Sequence, residues 1–191
     1  KKELYNFNSA YFKDKLPQIE NWRLYNFFRD KILFLDIEIN SHGKIILIGL
    51  FDGFNTKIMV KGVNLYQELL QKEINKYKLI ITYNGSSFDL PKIKKQLNIK
   101  IKIPHIDLKH LCHKIGLKNG LKEIELKLNL NRPQNLRGNP IDLWKAFHAS
   151  GDKEWLNLLI KYNEEDIINL KPIMDFCWKR LQKQEILTKT L

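Results

Sequence analysis

Asp36, Glu38, Asp89 and Asp166 are the residues whose type and setting could do chemistry together. Asp36 and Glu38 lie in LFLDIEIN (33–40), Asp89 closes YNGSSFD (83–89), and Asp166 ends YNEED (162–166). Each stands at the edge of an apolar segment, where an unpartnered carboxylate is costly. Several carboxylates converging on one point are what paired divalent ions need for phosphodiester hydrolysis. Oxygen-only donors suit hard cations such as Mg²⁺ and Mn²⁺.

Asp36 and Glu38 are two apart in a β-branched run, so both side chains emerge on one face of a strand. Leu33, Phe34, Leu35, Ile37 and Ile39 around them indicate a central strand, although a strand end dipping into solvent would also explain the pair. Asp89 follows a strand and a Gly-Ser-Ser loop, a place where Asp also serves as an ordinary helix N-cap. Nearby, the Asn84 amide could fix a sugar or phosphate and Phe88 could stack on a base. Tyr162 and Asp166 are four apart and share one helical face. Glu165 is the alternative ligand in that stretch, and Lys161 fills the position five before Asp166.

The elements that must carry these residues follow from periodicity. KILFLDIEI (31–39), KIILIGLF (44–51) and TKIMV (56–60), separated by SHG and DGFN turns, predict an antiparallel three-stranded meander. A helix is expected over 64–77 with Asn64 as N-cap, then a parallel strand at 78–84 reached by crossover. Residues 89–97, 108–115 and 120–128 read as helices, and 101–107 as a strand ending near Asp107, a candidate cap or supporting carboxylate. A long loop spans 129–140, and an amphipathic helix runs from Asp152 to about Leu170, with Pro172 marking a break before a last helix. The order predicts a mixed α/β domain over 31–191, with 1–30 as an aromatic-rich N-terminal extension.

The order of the acidic strings resembles the DEDD superfamily of 3′–5′ exonucleases, built on the RNase H-like fold. Asp36 and Glu38 match its first motif, Asp89 its second, and Tyr162 with Asp166 its third; the tyrosine is that of the DEDDy branch. YNGSSFDLP (83–91) is similar to the second motif in the proofreading domains of family B DNA polymerases. The fuller resemblance is to the YprB-type RNase H-like family, and it extends through HIDLKHLCHKIGL (105–117), GLKEIELKL (120–128), the Arg-Pro loop, LWKAF (143–147) and GDKEWLNLLIKYNEEDIINL (151–170). It covers about residues 31–175. One departure is that Ile39 and Asn40 follow Asp-x-Glu where the family often has Thr.

This resemblance implies a 3′–5′ exonuclease acting on single-stranded nucleic acid, DNA favoured over RNA, with two Mg²⁺ or Mn²⁺ ions held by Asp36, Glu38, Asp89 and Asp166. It implies a water-orienting role for Tyr162, and substrate contacts from Asn84, Phe88, Asn40 and Lys122. A non-catalytic nucleic-acid-binding module and a structure-specific endonuclease are the competing readings.

Bulk properties agree with a polyanionic partner. Net charge is +12, and residues 92–127 carry ten lysines against three acids. A Lys-rich composition can equally reflect an AT-rich genome. The longest apolar run, IILIGLF (45–51), is far short of a membrane span. Cys112 and Cys177 are too few for a disulfide scaffold and fit a reducing compartment, so a cytoplasmic location is expected. HLCH (110–113) lacks the second ligand pair that zinc requires. The chain starts with Lys rather than Met, which suggests a piece of a longer protein.

Overall fold

Strand β1 (Ile32–Ile39) alternates two faces: Leu33, Leu35 and Ile37 pack into one layer, while Ile32 and Phe34 pack into the other. Strands β2 (Ile45–Phe51) and β3 (Thr56–Val60) return from it through tight turns and pair antiparallel, as the meander predicts. In this computed structural model, residues 2–13, 15–130, 133 and 139–189 are described. The short helix α1 (Lys2–Tyr5) opens the chain, and α2 (Gln67–Ile74) carries it over the sheet to β4 (Leu79–Thr82), which lies parallel to β1. Helix α3 (Asp89–Leu97) leads to β5 (His105–Asp107), again parallel, so the sheet order is β3-β2-β1-β4-β5. The remaining helices are α4 (Leu108–Lys114), α5 (Leu121–Lys127), α6 (Pro140–Ser150) and α7 (Lys153–Lys189). Helices α2 and α3 cover one face of the sheet, and α4, α5 and α7 cover the other, with α6 packed on α7. The fold is that of the RNase H-like class. Of the loop expected over 129–140, residues 131–132 and 134–138 lie outside the described residues.

Residues 18–28 pack on the same face as α7: Trp22, Leu24, Tyr25 and Phe28 are buried among its side chains. Their neighbourhood also protects an edge. β5 is the outermost strand, and Asn21 Nδ2 donates to the His105 carbonyl at 3.0 Å, occupying part of the row that an edge strand leaves open.

Two local expectations need correction, and one helix, α6, adds to the expected elements. Asn64 does not cap α2; its Oδ1 accepts the Val60 N–H and its Nδ2 donates to the Ile58 carbonyl, closing the turn after β3, and α2 starts after Tyr66. Helix α6 breaks the stretch between loop and last helix, with Asn139 capping Ile141 N–H, Pro140 in the first turn and Gly151 at φ 70° ending it. Pro172 does not end a helix: α7 runs for 37 residues through it. The buried stripe of Leu159, Ile167, Leu170, Ile173, Met174, Cys177 and Leu181 continues across the proline, so packing outweighs one missing backbone bond. Ile168, whose carbonyl loses that bond, is 38% exposed, and water can take the vacated place. Among the described residues no helix is long and apolar enough to cross a membrane.

Replacing Pro172 with Ala restores the Ile168 bond and is expected to stabilise the protein by about 1–2 kcal/mol, the helix gain less the lost restriction of the unfolded chain. Urea denaturation checks it; a midpoint at or below that of the parent would show that the ring's packing matters more than the bond.

Candidate active site

Beyond Phe34, β1 outruns its parallel neighbour. β1 pairs with β4 only from Ile32 to Phe34, and β4 ends at Thr82. The exposed stretch of that edge needs other partners for its backbone groups. Asp89, the first residue of α3, supplies one: its Oδ1 accepts the Ile37 N–H at 3.1 Å. The other edge of β1 stays paired to β2, with Asp36 opposite Gly49 and Glu38 opposite Leu47. Both acids therefore project from the α7 face, at the carboxyl end of β1.

Helix α7 brings Asp166 to them. One carboxylate oxygen each from Asp36, Glu38 and Asp166 lie within 4.8 Å of one another. Asp89 is outside that trio but close enough for its charge to act on Asp36. Burial pushes the Asp36 carboxyl well above the usual carboxylate range, and the charges of Asp89, Glu38 and Asp166 push it further. Burial, then Asp166, raises Glu38 to about 8, and burial raises Asp89 to about 7 against the pull of backbone hydrogen bonds. Four acids in one poorly hydrated space resist ionising together.

Two cationic or polar groups answer this repulsion. Lys122, on the first turn of α5, donates from Nζ to Asp166 Oδ1 at 2.5 Å and stands 4.3 Å from the centre of the Tyr162 ring. Its charge draws the Asp36 and Glu38 carboxyls back down. Asn163, on α7, donates from Nδ2 to Asp36 Oδ2 at 2.8 Å, and its amide also draws the Glu38 carboxyl downward. Tyr162 is half-buried, and burial followed by the Asp166 charge lifts its hydroxyl above the ordinary value of 10.

The loop between β4 and α3 is held by Asp107. Its Oδ1 accepts the N–H of Asn84 at 2.8 Å and that of Lys109 at 3.0 Å, while Oδ2 accepts the Ser86 N–H at 3.0 Å and the Ser86 hydroxyl. Burial would raise the Asp107 carboxyl, but these donors, Ser86 foremost, hold it below its usual value. The cap and the supporting carboxylate are thus the same residue. Asn84 adopts φ 64° at the bend, and its Oδ1 accepts Lys109 Nζ at 3.2 Å. Phe88 precedes α3, with Lys92 Nζ 4.9 Å from its ring centre.

Of the residues singled out from sequence, Asp36, Glu38, Asp166, Tyr162 and Lys122 meet in one place, with Asp89 beside them. Asn40 is engaged elsewhere: its Oδ1 accepts the His42 and Lys44 N–H groups, each at 3.0 Å, and shapes the β1–β2 turn. Glu165 is not among the converging acids, and Glu164 accepts the Thr56 hydroxyl at 2.7 Å. In HLCH, His110 and His113 are exposed while the Cys112 thiol turns into the core, 3.6 Å from Cys177, so these side chains do not face one ligand. Asn163 escaped sequence reasoning, because YNEED drew attention to its first and last residues; the glycine across the sheet was the other half of the signal.

The donor set fits a hard divalent cation. All the converging atoms are carboxylate oxygens, their mutual repulsion is unrelieved by burial, and a lysine ammonium already stands on one of them.

The RNase_H_2 family, described as RNase_H superfamily, matches residues 33–178. No curated protein matches the sequence. Among solved structures, the family B DNA polymerase of the hyperthermophilic archaeon Pyrobaculum calidifontis is similar at a TM-score of 0.60 and 11% identity, over 76% of this chain and 24% of that one. Escherichia coli RNase D, an exoribonuclease involved in structured RNA processing, is similar at 0.50 and 18% identity, over 90% of this chain and 44% of that one. The chain thus spans less than half the length of either. At these identities the likeness concerns the fold.

The raised Glu38 carboxyl has a consequence for stability. Its folded value of about 8 exceeds the ordinary 4.5, so its stabilising protonation is complete at low pH and is lost as pH rises through that window. In chelator, melting temperatures taken from pH 5 to pH 9 are expected to fall in the parent relative to Glu38→Gln. A constant difference across that range would show that Glu38 ionises as freely as an exposed carboxylate.

Proposed function

This chain belongs to the RNase H superfamily, and from that premise we propose that it is a metal-dependent 3′–5′ exonuclease hydrolysing phosphodiester bonds of single-stranded nucleic acid. The convergence of Asp36, Glu38 and Asp166 oxygens within 4.8 Å carries the reading. With Asp89, these residues would hold two divalent ions, Mg²⁺ or Mn²⁺. Such ions supply Lewis acidity at the phosphoryl group and a water of lowered pKa.

The chain's own groups do the rest. Tyr162 keeps its proton at neutral pH, because its pKa is raised, and so acts by orienting a water through a hydrogen bond rather than as a base. Lys122, drawn by Asp166, offers a positive charge to a phosphate oxygen. Asn84 and Phe88, set by the Asp107-held loop, would grip the terminal nucleotide, and the backbone at Asn40 would contact its sugar. Residues 31–191 form the catalytic domain, with 1–30 as an extension packed onto it. The Tyr162/Asp166 pair supports membership of the DEDDy branch, with the YprB-type family as the nearest pattern. DNA is favoured over RNA because YNGSSFDLP resembles the family B polymerase motif. The two cysteines, both free, suit a cytoplasmic setting.

Incubation of a 3′-labelled oligonucleotide with Mn²⁺ should release label from the parent protein, and Asp36→Ala should reduce that release to background with the fold intact by circular dichroism. EDTA should stop the reaction, and a 3′-blocked strand should resist it. Cutting of the blocked strand would instead mean an endonuclease, and binding without cutting a non-catalytic module. Matched DNA and RNA strands assign the sugar preference.

A further inference from the structure

Asn163 is fully buried, with 0% exposure, on the face of α7 that meets the sheet. A primary amide carries two N–H donors. Here Nδ2 donates to Asp36 Oδ2 at 2.8 Å, so the amide holds the first of the two strand carboxylates directly, and its nearness draws the Glu38 carboxyl downward. Its Oδ1 is buried with no hydrogen-bond partner. Buried polar atoms are nearly always paired, so this orphan is held in place by something stronger. Turning the amide over would set its oxygen against the Asp36 carboxylate.

The orphaned oxygen lies over Gly49. A Cβ built on that residue would come 1.9 Å from Asn163 Oδ1 and 2.9 Å from its Cγ. Gly49 is the register partner of Asp36 in the middle of a fully buried strand, where a glycine weakens the sheet unless close approach demands it. The two observations come from different elements and describe one contact.

We propose that Asn163 is a positioning residue that orients the Asp36 carboxylate toward Glu38 and Asp166, and that Gly49 provides the clearance this amide needs. The consequence for catalysis rests on the metal-dependent reading above; the pairing of Asn163 with Gly49 does not. An amide is suited to the task because it is neutral. It steadies the Asp36 carboxylate without cancelling the charge that attracts a cation, whereas Lys122 brings a positive charge of its own.

The test is a double-mutant cycle read by Mn²⁺ titration calorimetry on the full chain, with melting in EDTA as the control for folding. Asn163→Ala should weaken Mn²⁺ binding by about 10–100-fold, the usual effect of removing a group that orients metal ligands, while leaving the metal-free melting temperature near that of the parent. Gly49→Ala should weaken binding comparably, because its methyl evicts the amide. Gly49→Ala/Asn163→Ala should be no worse than Asn163→Ala alone. Should Gly49→Ala fail to fold, recovery of folding in the double variant would support the same pairing. Additive losses, or unchanged Mn²⁺ affinity in Asn163→Ala, overturn the proposal. A parent protein that takes up no Mn²⁺, like Asp36→Asn, overturns the metal-site reading instead, and the melting cycle then judges the pairing by itself.

Discussion

Three carboxylates whose oxygens lie within 4.8 Å of one another repel, and the repulsion grows as protein replaces water around them. Much of the local architecture can be understood as an answer to that strain. Sheet pairing fixes Asp36 and Glu38 on one face; helix α7 carries the third acid and the amide that holds Asp36; helix α5 extends an ammonium to Asp166. Protonation is the remaining outlet, and burial together with neighbouring charge pushes the Asp36 and Glu38 carboxyls toward it. A divalent cation would relieve the same strain without protons.

Position in the fold explains why the acids collect where they do. In an open α/β sheet, the crevice beyond the carboxyl ends of parallel strands is where backbone and side chains become available to ligands. Here β1 passes the end of β4 by several residues, and the uncovered backbone is partnered by a side chain from the following helix. Asp89 is thereby anchored to the strand that bears Asp36 and Glu38. The loop leading to it depends on Asp107 at the end of β5, so the three parallel strand ends are linked through hydrogen bonds.

Much of this was legible in the sequence wherever one residue's period or type determines the outcome. The two-residue spacing of Asp36 and Glu38, the meander and the order of acidic strings needed no partner to be read. Features that depend on distant residues were not. Pro172 signals a break in isolation, yet a buried stripe on both sides of it overrides the signal. Asn64 is as good a turn-former as a cap, and the β3 carbonyl and amide decided between them. Asn163 and Gly49 are 114 positions apart, and neither is informative until the sheet and helix meet.

Helix α7 also has a second set of contacts. About 18 Å along the rod from Asn163, at a rise of 1.5 Å per residue, Asp175 accepts the Tyr25 hydroxyl at 2.9 Å and an Arg29 N–H at 3.0 Å. Farther on, Arg23 pairs with Glu185. The amino-terminal segment and Asp166 are therefore fastened to two stretches of one continuous helix, with Pro172 lying between them. The apolar packing that keeps α7 continuous past Pro172 therefore secures the amino-terminal segment and Asp166 to the same scaffold.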